Sequence, residues 1–538
     1  MQKLLLLGDE AIAQGAIDSG ISGIYAYPGT PSTEILEYVQ RSKDAKERNI
    51  HRKWSSNEKT ALESALGMSY AGKRAMACMK HVGLNVAADP FMNSSITGAN
   101  GGLVIVSADD PSMHSSQNEQ DSRYFGKFAL IPIFEPSNQQ ESYDMVHHAF
   151  DFSEKYKIPV LFRIVTRLAH SRAGVEMQEI KKQNELSIPK NLRQYVLLPA
   201  IARKNYKELI KKQDDFEKES ENSPFNKYID GKDKSLGIVA CGLAYNYLLE
   251  NFEDKEAPYP VVKISQYPIP PKMLNKLKEE CNELLVLEDG YPLVEEMLKG
   301  FYAEGITIKG RLDGSIPRDG ELNSNLVAKA LGISEDYSDE LSKNIVSRPP
   351  SFCKGCSHID SYNALNEALE PYSKGRVMAD IGCYTLGALK PFQSINSCVD
   401  MGASITMAIG LADAGEVPAV AVIGDSTFTH SGMTGLLDAI IKKSPITILI
   451  LDNSTAGMTG GQDSQGFGRI EKICEGLGVE KEHIKILNPL RKHHDENVKI
   501  IKKELEYNDV SVVIPRRECI QTIARRNKLI KQKKLNLL

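Results

Sequence analysis

Two rhythms of apolar and polar positions alternate along most of this chain. Short apolar runs at Gly23–Tyr27, Arg74–Met79, Gly102–Ser107, Ile131–Glu135 and Val160–Ile164 are separated by stretches whose apolar residues repeat at helical spacing. Apolar runs bounded by Gly-, Pro- and Asp-rich turns predict strands, and their alternation with helices predicts a parallel α/β sheet over residues 1–175. Three of the turns, YPGTPS, HVGLN and SADDPSMHSS, follow predicted strands. They belong at the carboxyl edge, where ligands of such sheets bind.

The same rhythm returns twice. Leu236–Cys241, Val261–Ile264 and Glu283–Glu288 predict a small doubly wound domain over 235–335. Val377–Ile381, Val417–Ile423, Ile446–Leu451 and Val510–Pro515 predict another over 345–520, and the Pro349–Pro350 pair marks the boundary before it. Residues 176–234 are highly charged and Gly-poor, with acids and bases interleaved, which predicts a solvated connector of helix and linker. Residues 521–538 are a basic amphipathic tail, read as a surface helix or a subunit contact. The fold class is therefore α/β, multidomain, with parallel sheets.

Composition narrows the partners. A chain of 538 residues exceeds one hydrophobic core, consistent with about three domains. A net charge of -4 with 41% hydrophobic and 25% charged residues advertises no nucleic-acid or membrane surface. The start, MQKLLLLGDEAIAQGA, is too short in its apolar run and too acidic for a secretory signal, so a cytoplasmic protein is expected. Nine scattered cysteines then point to thiols, metal ligands or cluster ligands rather than disulfides.

The segment from Val417 to Gln462 carries the most chemistry, reading as strand, Gly-rich turn, helix, strand and turn. A right-handed crossover makes its two strands parallel and brings their carboxyl ends to one edge. Asp425 and Asn453, 28 residues apart, each follow such an end. With a backbone carbonyl near Thr455 they supply three of the six oxygens that Mg2+ prefers, leaving the rest to a diphosphate and water. Gly424, Gly432 and Gly435 would let the backbone approach a phosphate closely. Asp and Asn are also common turn residues after strands, so the pair alone decides nothing.

Cys353 and Cys356 form a C-x2-C pair in FCKGCSH, Cys383 follows a predicted strand in ADIGCYTLG, and Cys519 follows another in VVIPRREC. Four such thiols suit a structural zinc or a 4Fe–4S cluster, and spacing alone leaves both open. A third reading keeps only the C-x2-C pair as notable and the others as buried thiols.

Taken together, the Asp425–Asn453 segment resembles a thiamine diphosphate motif that begins Gly-Asp-Gly, with Ser426 here in place of the second Gly. YAYPGTPSTEI, WSSNEKTALE, MKHVGLNVAADP, IVSADDPSMHSSQNEQDSRYFGKFA, RPPSFCKGCSH and ADIGCYTLG, in this order with that segment, resemble the large subunits of the indolepyruvate ferredoxin oxidoreductase family. The resemblance implies a pyrimidine-binding domain over 1–175, a transketolase C-terminal-like domain over 235–335 and a diphosphate domain over 345–520. It implies thiamine diphosphate held through Mg2+ on Asp425, Asn453 and Thr455, with Gly424, Ser426 and Gly402 beside the cofactor. Glu58 becomes the partner of the aminopyrimidine ring, where burial would raise a helix-first-turn acid toward usefulness. Thr30 becomes a substrate contact. His81, Asn85, Asp109, Asp110, His114 and Gln117 would line the pocket, with His81 and His430 as candidate proton-transfer groups. Cys353, Cys356, Cys383 and Cys519 would hold a 4Fe–4S cluster, although Lys354 and Ser357 stand where the family has Pro.

The implied reaction is oxidative decarboxylation of an aryl 2-oxo acid to its acyl-CoA, with coenzyme A as co-substrate. Electrons would pass through the cluster to ferredoxin or a partner. A smaller second subunit completes a hetero-oligomer in this family, and the family's C-terminal ferredoxin-like domain has no counterpart before the Lys-rich end. Two rivals stay open at this point. One is a non-oxidative thiamine diphosphate decarboxylase or synthase, and the other a non-catalytic cofactor-binding subunit.

Overall fold

The structure, a computed structural model, describes residues 3–191, 193–301, 306–333 and 350–535. Pro349, the residues 334–335 and 345–348 at the edges of the expected domains, and the last three residues of the tail lie outside the described residues. The chain divides into two compact units, residues 1–340 and 341–538.

In the first unit a seven-stranded sheet runs in the order Gln266–Tyr267, Ile133–Phe134, Val160–Val165, Leu103–Asp109, Ala75–Lys80, Gly23–Ala26, His51–Trp54. Its strands are parallel except at one edge, where Gln266 and Tyr267 pair antiparallel with Phe134 and Ile133. The central runs AMACMK and LVIVSAD are buried throughout, as strands covered by helices on both faces must be. A five-stranded sheet follows, ordered Thr307–Lys309, Glu283–Leu287, Leu236–Cys241, Val261–Ile264, Lys227–Ile229. An antiparallel pair, Lys3–Leu7 with Arg172–Glu176, ties the beginning of the unit to the end of its first sheet.

Two boundaries drawn from sequence are crossed by strands. Lys227–Ile229, inside the expected connector, is an edge strand antiparallel to Val261–Ile264. Gln266–Tyr267, inside the expected small domain, completes the first sheet instead. Runs of two or three residues are too short to show a period, and edge strands need no fully apolar face. The rest of the connector does form helices, Pro199–Lys211 and Gln213–Glu221.

Arg123 and Arg163 lie fully buried where these sheets meet. Arg163 donates to Asp109 at 2.6 Å and also to Glu135, while Arg123 pairs with Asp121 at 2.5 Å and Glu288 at 3.0 Å. Such charges persist in an interior only when paired and hydrogen-bonded. Asp109 is therefore enclosed in this network and does not line an open pocket.

In the second unit Val377–Ala379, Ala419–Gly424, Ile446–Leu451, Ser511–Pro515 and Ile484–Leu487 form one parallel sheet in that order. AVAVIG and ITILIL at its centre are wholly buried. Helix Ile520–Leu535 carries the basic tail. Among the described residues no helix is long and apolar enough to cross a membrane.

Candidate functional site

The second unit's sheet brings Asp425 and Asn453 to one edge. Gly424 is registered against Leu451 in the parallel pair Ala419–Gly424 and Ile446–Leu451, so the residues that follow leave the sheet side by side. Asp425 opens a helix directly after its strand. Its carboxylate is 2% exposed, and its Oδ2 has no hydrogen-bond partner. Burial pushes this carboxyl up to about 7, offset in part by the Ser464 hydroxyl and reinforced by the nearby charge of Asp452. A buried oxygen without a donor is costly unless a cation faces it. That is the chemistry expected of a magnesium ligand.

Asn453 and Thr455 fit the same reading. Thr455 is buried, donates its N–H to Asn453 Oδ1 at 3.1 Å and its hydroxyl to the Gln462 carbonyl at 2.8 Å. Because Oδ1 accepts that bond, Nδ2 of Asn453 must be the group facing His358 Nε2, 3.5 Å away. His358 is buried, which pushes its imidazole down to about 4 and leaves it neutral. Sequence reasoning missed His358, although it stands two residues after Cys356 in FCKGCSH.

The glycines serve packing. A Cβ on Gly424 would meet the Tyr384 ring at 2.7 Å, and one on Gly402 would meet Ser431 at 2.6 Å. Gly432 faces Ile423 and Phe428, and Gly435 faces Ile405, so these two let the helix press onto an apolar neighbour. Gly402, at φ +99°, also donates its N–H to Asp380. The Asp380 carboxyl, pushed up to about 7 by burial, accepts from Ser404 Oγ at 2.6 Å and from Tyr384 as well. Asp380 thus fixes the start of helix Ala403–Asp413; it stands in ADIGCYTLG, where only Cys383 was singled out from the sequence. Ser426 follows Asp425 in the same turn, and His430 is buried with its Nδ1 2.5 Å from Ser431 Oγ.

Four thiols gather beside this edge. Cys356 donates its N–H to the Cys353 carbonyl at 3.0 Å, with Gly355 at φ +82° making the turn before helix Ser357–Leu369. Cys519 donates its N–H to the Asn453 carbonyl at 3.0 Å. A Cβ on Gly457 would lie 3.3 Å from Cys383 Sγ and 3.9 Å from Asn453 Nδ2, which places that thiol next to the proposed metal ligand. Burial pushes Cys383 up to about 12, and the charges of Cys356, Cys519 and Cys353 add to the shift. Cys356 is likewise raised, first by burial and then by Cys353 and Cys519. The four sulfurs therefore share one neighbourhood, and all nine cysteines are free.

The first unit holds the remaining candidates at the carboxyl edge of its seven-stranded sheet. Glu58, 5% exposed, is the first residue of a helix whose cap, Asn57, accepts the Thr60 N–H at 2.9 Å. Its carboxylate lies against Gly83, where a Cβ would stand 2.6 Å from Oε1. His81 opens helix His81–Val86 and is buried, with Nε2 3.2 Å from the Asn118 carbonyl. A carbonyl only accepts, so Nε2 is the donor, and Nδ1 is buried without a hydrogen bond. Thr30 is half-buried, and its carbonyl lies 3.4 Å from Ser115 Oγ. Asp110 is held low despite burial by Ser116, Thr166 and Ser115. Asn85, His114 and Gln117 are exposed, His114 facing Glu321 at 3.2 Å and Asn85 bonding Gln120. Lys80, unmarked in the sequence reading, ends the buried strand before His81. Its ammonium donates to the Ser115 carbonyl at 2.8 Å, and burial pushes it down to about 8.

Comparison with known proteins identifies thiamine diphosphate-binding domains in both units. Residues 14–199 match the family described as pyruvate flavodoxin/ferredoxin oxidoreductase, thiamine diphosphate-binding, and residues 380–513 match the C-terminal thiamine pyrophosphate-binding domain of thiamine pyrophosphate enzymes. Indolepyruvate oxidoreductase subunit IorA of Archaeoglobus fulgidus is 40% identical over 551 residues, covering 96% of this chain and 86% of the relative. The same subunit of Pyrococcus abyssi is 39% identical over 564 residues at the same coverages. In fold, a 2-oxoglutarate:ferredoxin oxidoreductase from Magnetococcus marinus superposes with a TM-score of 0.50 at 14% identity, over 62% of this chain and 65% of that one. With thiamine diphosphate-binding domains in both units and relatives aligned over nearly its whole length, this chain belongs to the indolepyruvate oxidoreductase subunit IorA family, among the thiamine diphosphate-dependent 2-oxo acid oxidoreductases.

Proposed function

We propose that this chain is the large subunit of a cytoplasmic hetero-oligomer that oxidatively decarboxylates aryl 2-oxo acids, indolepyruvate among them. Coenzyme A takes the acyl group, and electrons leave through a 4Fe–4S cluster to ferredoxin or another acceptor. The smaller partner subunit completes the enzyme. The domains are a pyrimidine-binding domain over 1–175, a transketolase C-terminal-like domain over 235–335 and a diphosphate domain over 345–520. The single observation that carries the reading is the buried, unpartnered Oδ2 of Asp425 beside Asn453 and a group of four thiols.

Bound thiamine diphosphate supplies the nucleophilic carbon and the electron sink that a 2-oxo acid needs to lose carbon dioxide. The chain's own residues prepare that chemistry. Asp425, Asn453 and the Thr455 carbonyl hold Mg2+ and through it the diphosphate. Glu58, buried at the start of its helix, would be the carboxylate that faces the aminopyrimidine ring and exchanges a proton with it. Thr30 contacts the substrate, and His81 moves a proton through Nδ1. Cys353, Cys356, Cys383 and Cys519 take the cluster.

Anaerobic reduction of a low-potential acceptor by the purified complex tests the reading, across aryl and branched 2-oxo acids with and without coenzyme A. Aryl substrates should give coenzyme A-dependent reduction and a brown protein containing iron and acid-labile sulfide. A colourless, fully active preparation would overturn the cluster, and full activity of Glu58→Gln would overturn the assigned base.

A further inference from the structure

Away from the thiamine edge, the first unit carries a second group of ligand atoms that its fold leaves unsatisfied. Asp9 is the second residue of helix Gly8–Asp18 and is 0% exposed, with neither carboxylate oxygen hydrogen-bonded. Gly8 explains the burial, because a Cβ there would stand 2.3 Å from the Leu168 carbonyl, so the helix start is pressed against helix Thr166–His170. His170 ends that second helix. Glu34 lies in the first turn of a third, Thr33–Arg41. Its Oε2 is also buried without a hydrogen bond and stands 3.6 Å from His170 Nε2. Ligand atoms of Asp9, Glu34 and His170 all lie within 4.8 Å of one another, and among the described residues no other trio of His, Cys, Asp or Glu does so.

Charge sharpens the demand. The charges acting on Asp9 are those of Glu34 and Glu10, both negative, and burial holds its carboxyl well above the usual range. Glu10 is already engaged by the Leu7 N–H at 3.0 Å. Against burial, His170 and Arg41 hold the Glu34 carboxyl below its usual range, so the unmet demand falls on Asp9, whose two oxygens are buried without a hydrogen bond.

We propose that Asp9, Glu34 and His170 bind a divalent first-row transition cation, of the manganese, iron or zinc type, at the junction of three helices. One nitrogen and two carboxylate donors select such ions over Ca2+ or Mg2+, which take oxygen shells. Bonds of about 2.1 Å require the three groups to close by an ångström or two, and the two partly exposed side chains, Glu34 and His170, have the room. The ion fastens the base of the YPGTPS loop. Thr33, next to Glu34, accepts the Gly29 N–H at 3.0 Å, and Ser32 donates to the Gly29 carbonyl at 2.8 Å. The site is structural and independent of turnover.

Mn2+ is the probe of choice, since it prefers oxygen and nitrogen donors and leaves the thiols alone. Chelator-treated full-length chain carrying Asp425→Asn, which silences the other cation site, is titrated with Mn2+ while the free-ion electron paramagnetic resonance signal is followed. One equivalent should bind, and melting temperature should rise with Mn2+ concentration. Adding His170→Ala, at a partly exposed helix end where folding is safe, should weaken binding at least about tenfold, and Asp9→Asn should abolish it. No uptake below about 1 mM would overturn the proposal, as would unchanged affinity in His170→Ala. A shared proton between Asp9 and Glu34 is the rival arrangement. It predicts no Mn2+ uptake at all.

Discussion

Cys519 donates its backbone N–H to the carbonyl of Asn453 at 3.0 Å, so a proposed cluster ligand and a proposed magnesium ligand are fastened to each other through the main chain. The link continues a single parallel bridge between Asp452 and Arg516, just beyond the paired strands. Electron transfer from cofactor to cluster needs such closeness. Since the bond uses the backbone, Cys519→Ala removes the sulfur and keeps the tie. Iron content and acceptor reduction should collapse in this variant, while thiamine diphosphate affinity stays within about threefold, under about 1 kcal/mol. Iron assay with calorimetric titration of the cofactor checks it, and a parallel loss of cofactor binding would show that the thiol supports the fold of the edge instead.

Gly83 reports on Glu58 without touching its chemistry. The backbone at Gly83 is helical, so alanine is tolerated conformationally, yet its Cβ would stand 2.6 Å from both Cγ and Oε1 of Glu58. The side chain must shift. A displacement of about 1 Å at a group aligned with its partner costs on the order of a hundredfold in rate. Gly83→Ala should therefore lower acceptor reduction by about ten- to a hundredfold with little change in melting temperature, whereas Gly67→Ala, with open space at its Cβ, should be silent.

Asp425 carries a functional cost in the cofactor-free chain. Its buried Oδ2 has no donor, and desolvation dominates its environment. Asp425→Asn keeps the shape and removes the charge. In the absence of Mg2+ and cofactor the variant should melt higher, by about 2–4 °C for each kcal/mol regained. Magnesium-dependent thiamine diphosphate binding should be lost in the same variant. A lower melting temperature would mean that the carboxylate is already satisfied without a cation.

Sequence made the strand rhythm legible because buried parallel strands such as AVAVIG and ITILIL are short, β-branched apolar runs bounded by Gly, Pro, Ser or Asp turns. Asp425 and Asn453 were visible for a related reason: a crossover of this length returns both to one edge. His358, Lys80 and Asp380 were invisible, since each acts through burial and through partners remote in sequence. His358 meets Asn453 across 95 positions, and Asp380 meets Ser404 across 24. The edge strands Lys227–Ile229 and Gln266–Tyr267 escaped because two or three residues carry no period.

The buried charges between the sheets of the first unit give a pH signature. Glu288 accepts N–H bonds from Val294 at 3.1 Å and Glu295 at 3.0 Å and faces Arg123 at 3.0 Å, with Asp121 also near. Burial nevertheless outweighs these partners and pushes its carboxyl up to about 7. An unfolded glutamate titrates near about 4.3. Between these values the unfolded chain has released a proton that the folded chain retains, so the stability this group contributes is complete below about pH 4.3 and is lost as pH rises through about 7. Glu288→Gln cannot titrate. Its amide mismatches one of the two N–H donors, a penalty that does not change with pH. The gap in melting temperature between wild type and Glu288→Gln should thus be largest near pH 5 and shrink by pH 8, measured by scanning calorimetry at constant ionic strength. A gap that widens with pH would show that Arg123 holds Glu288 ionised throughout.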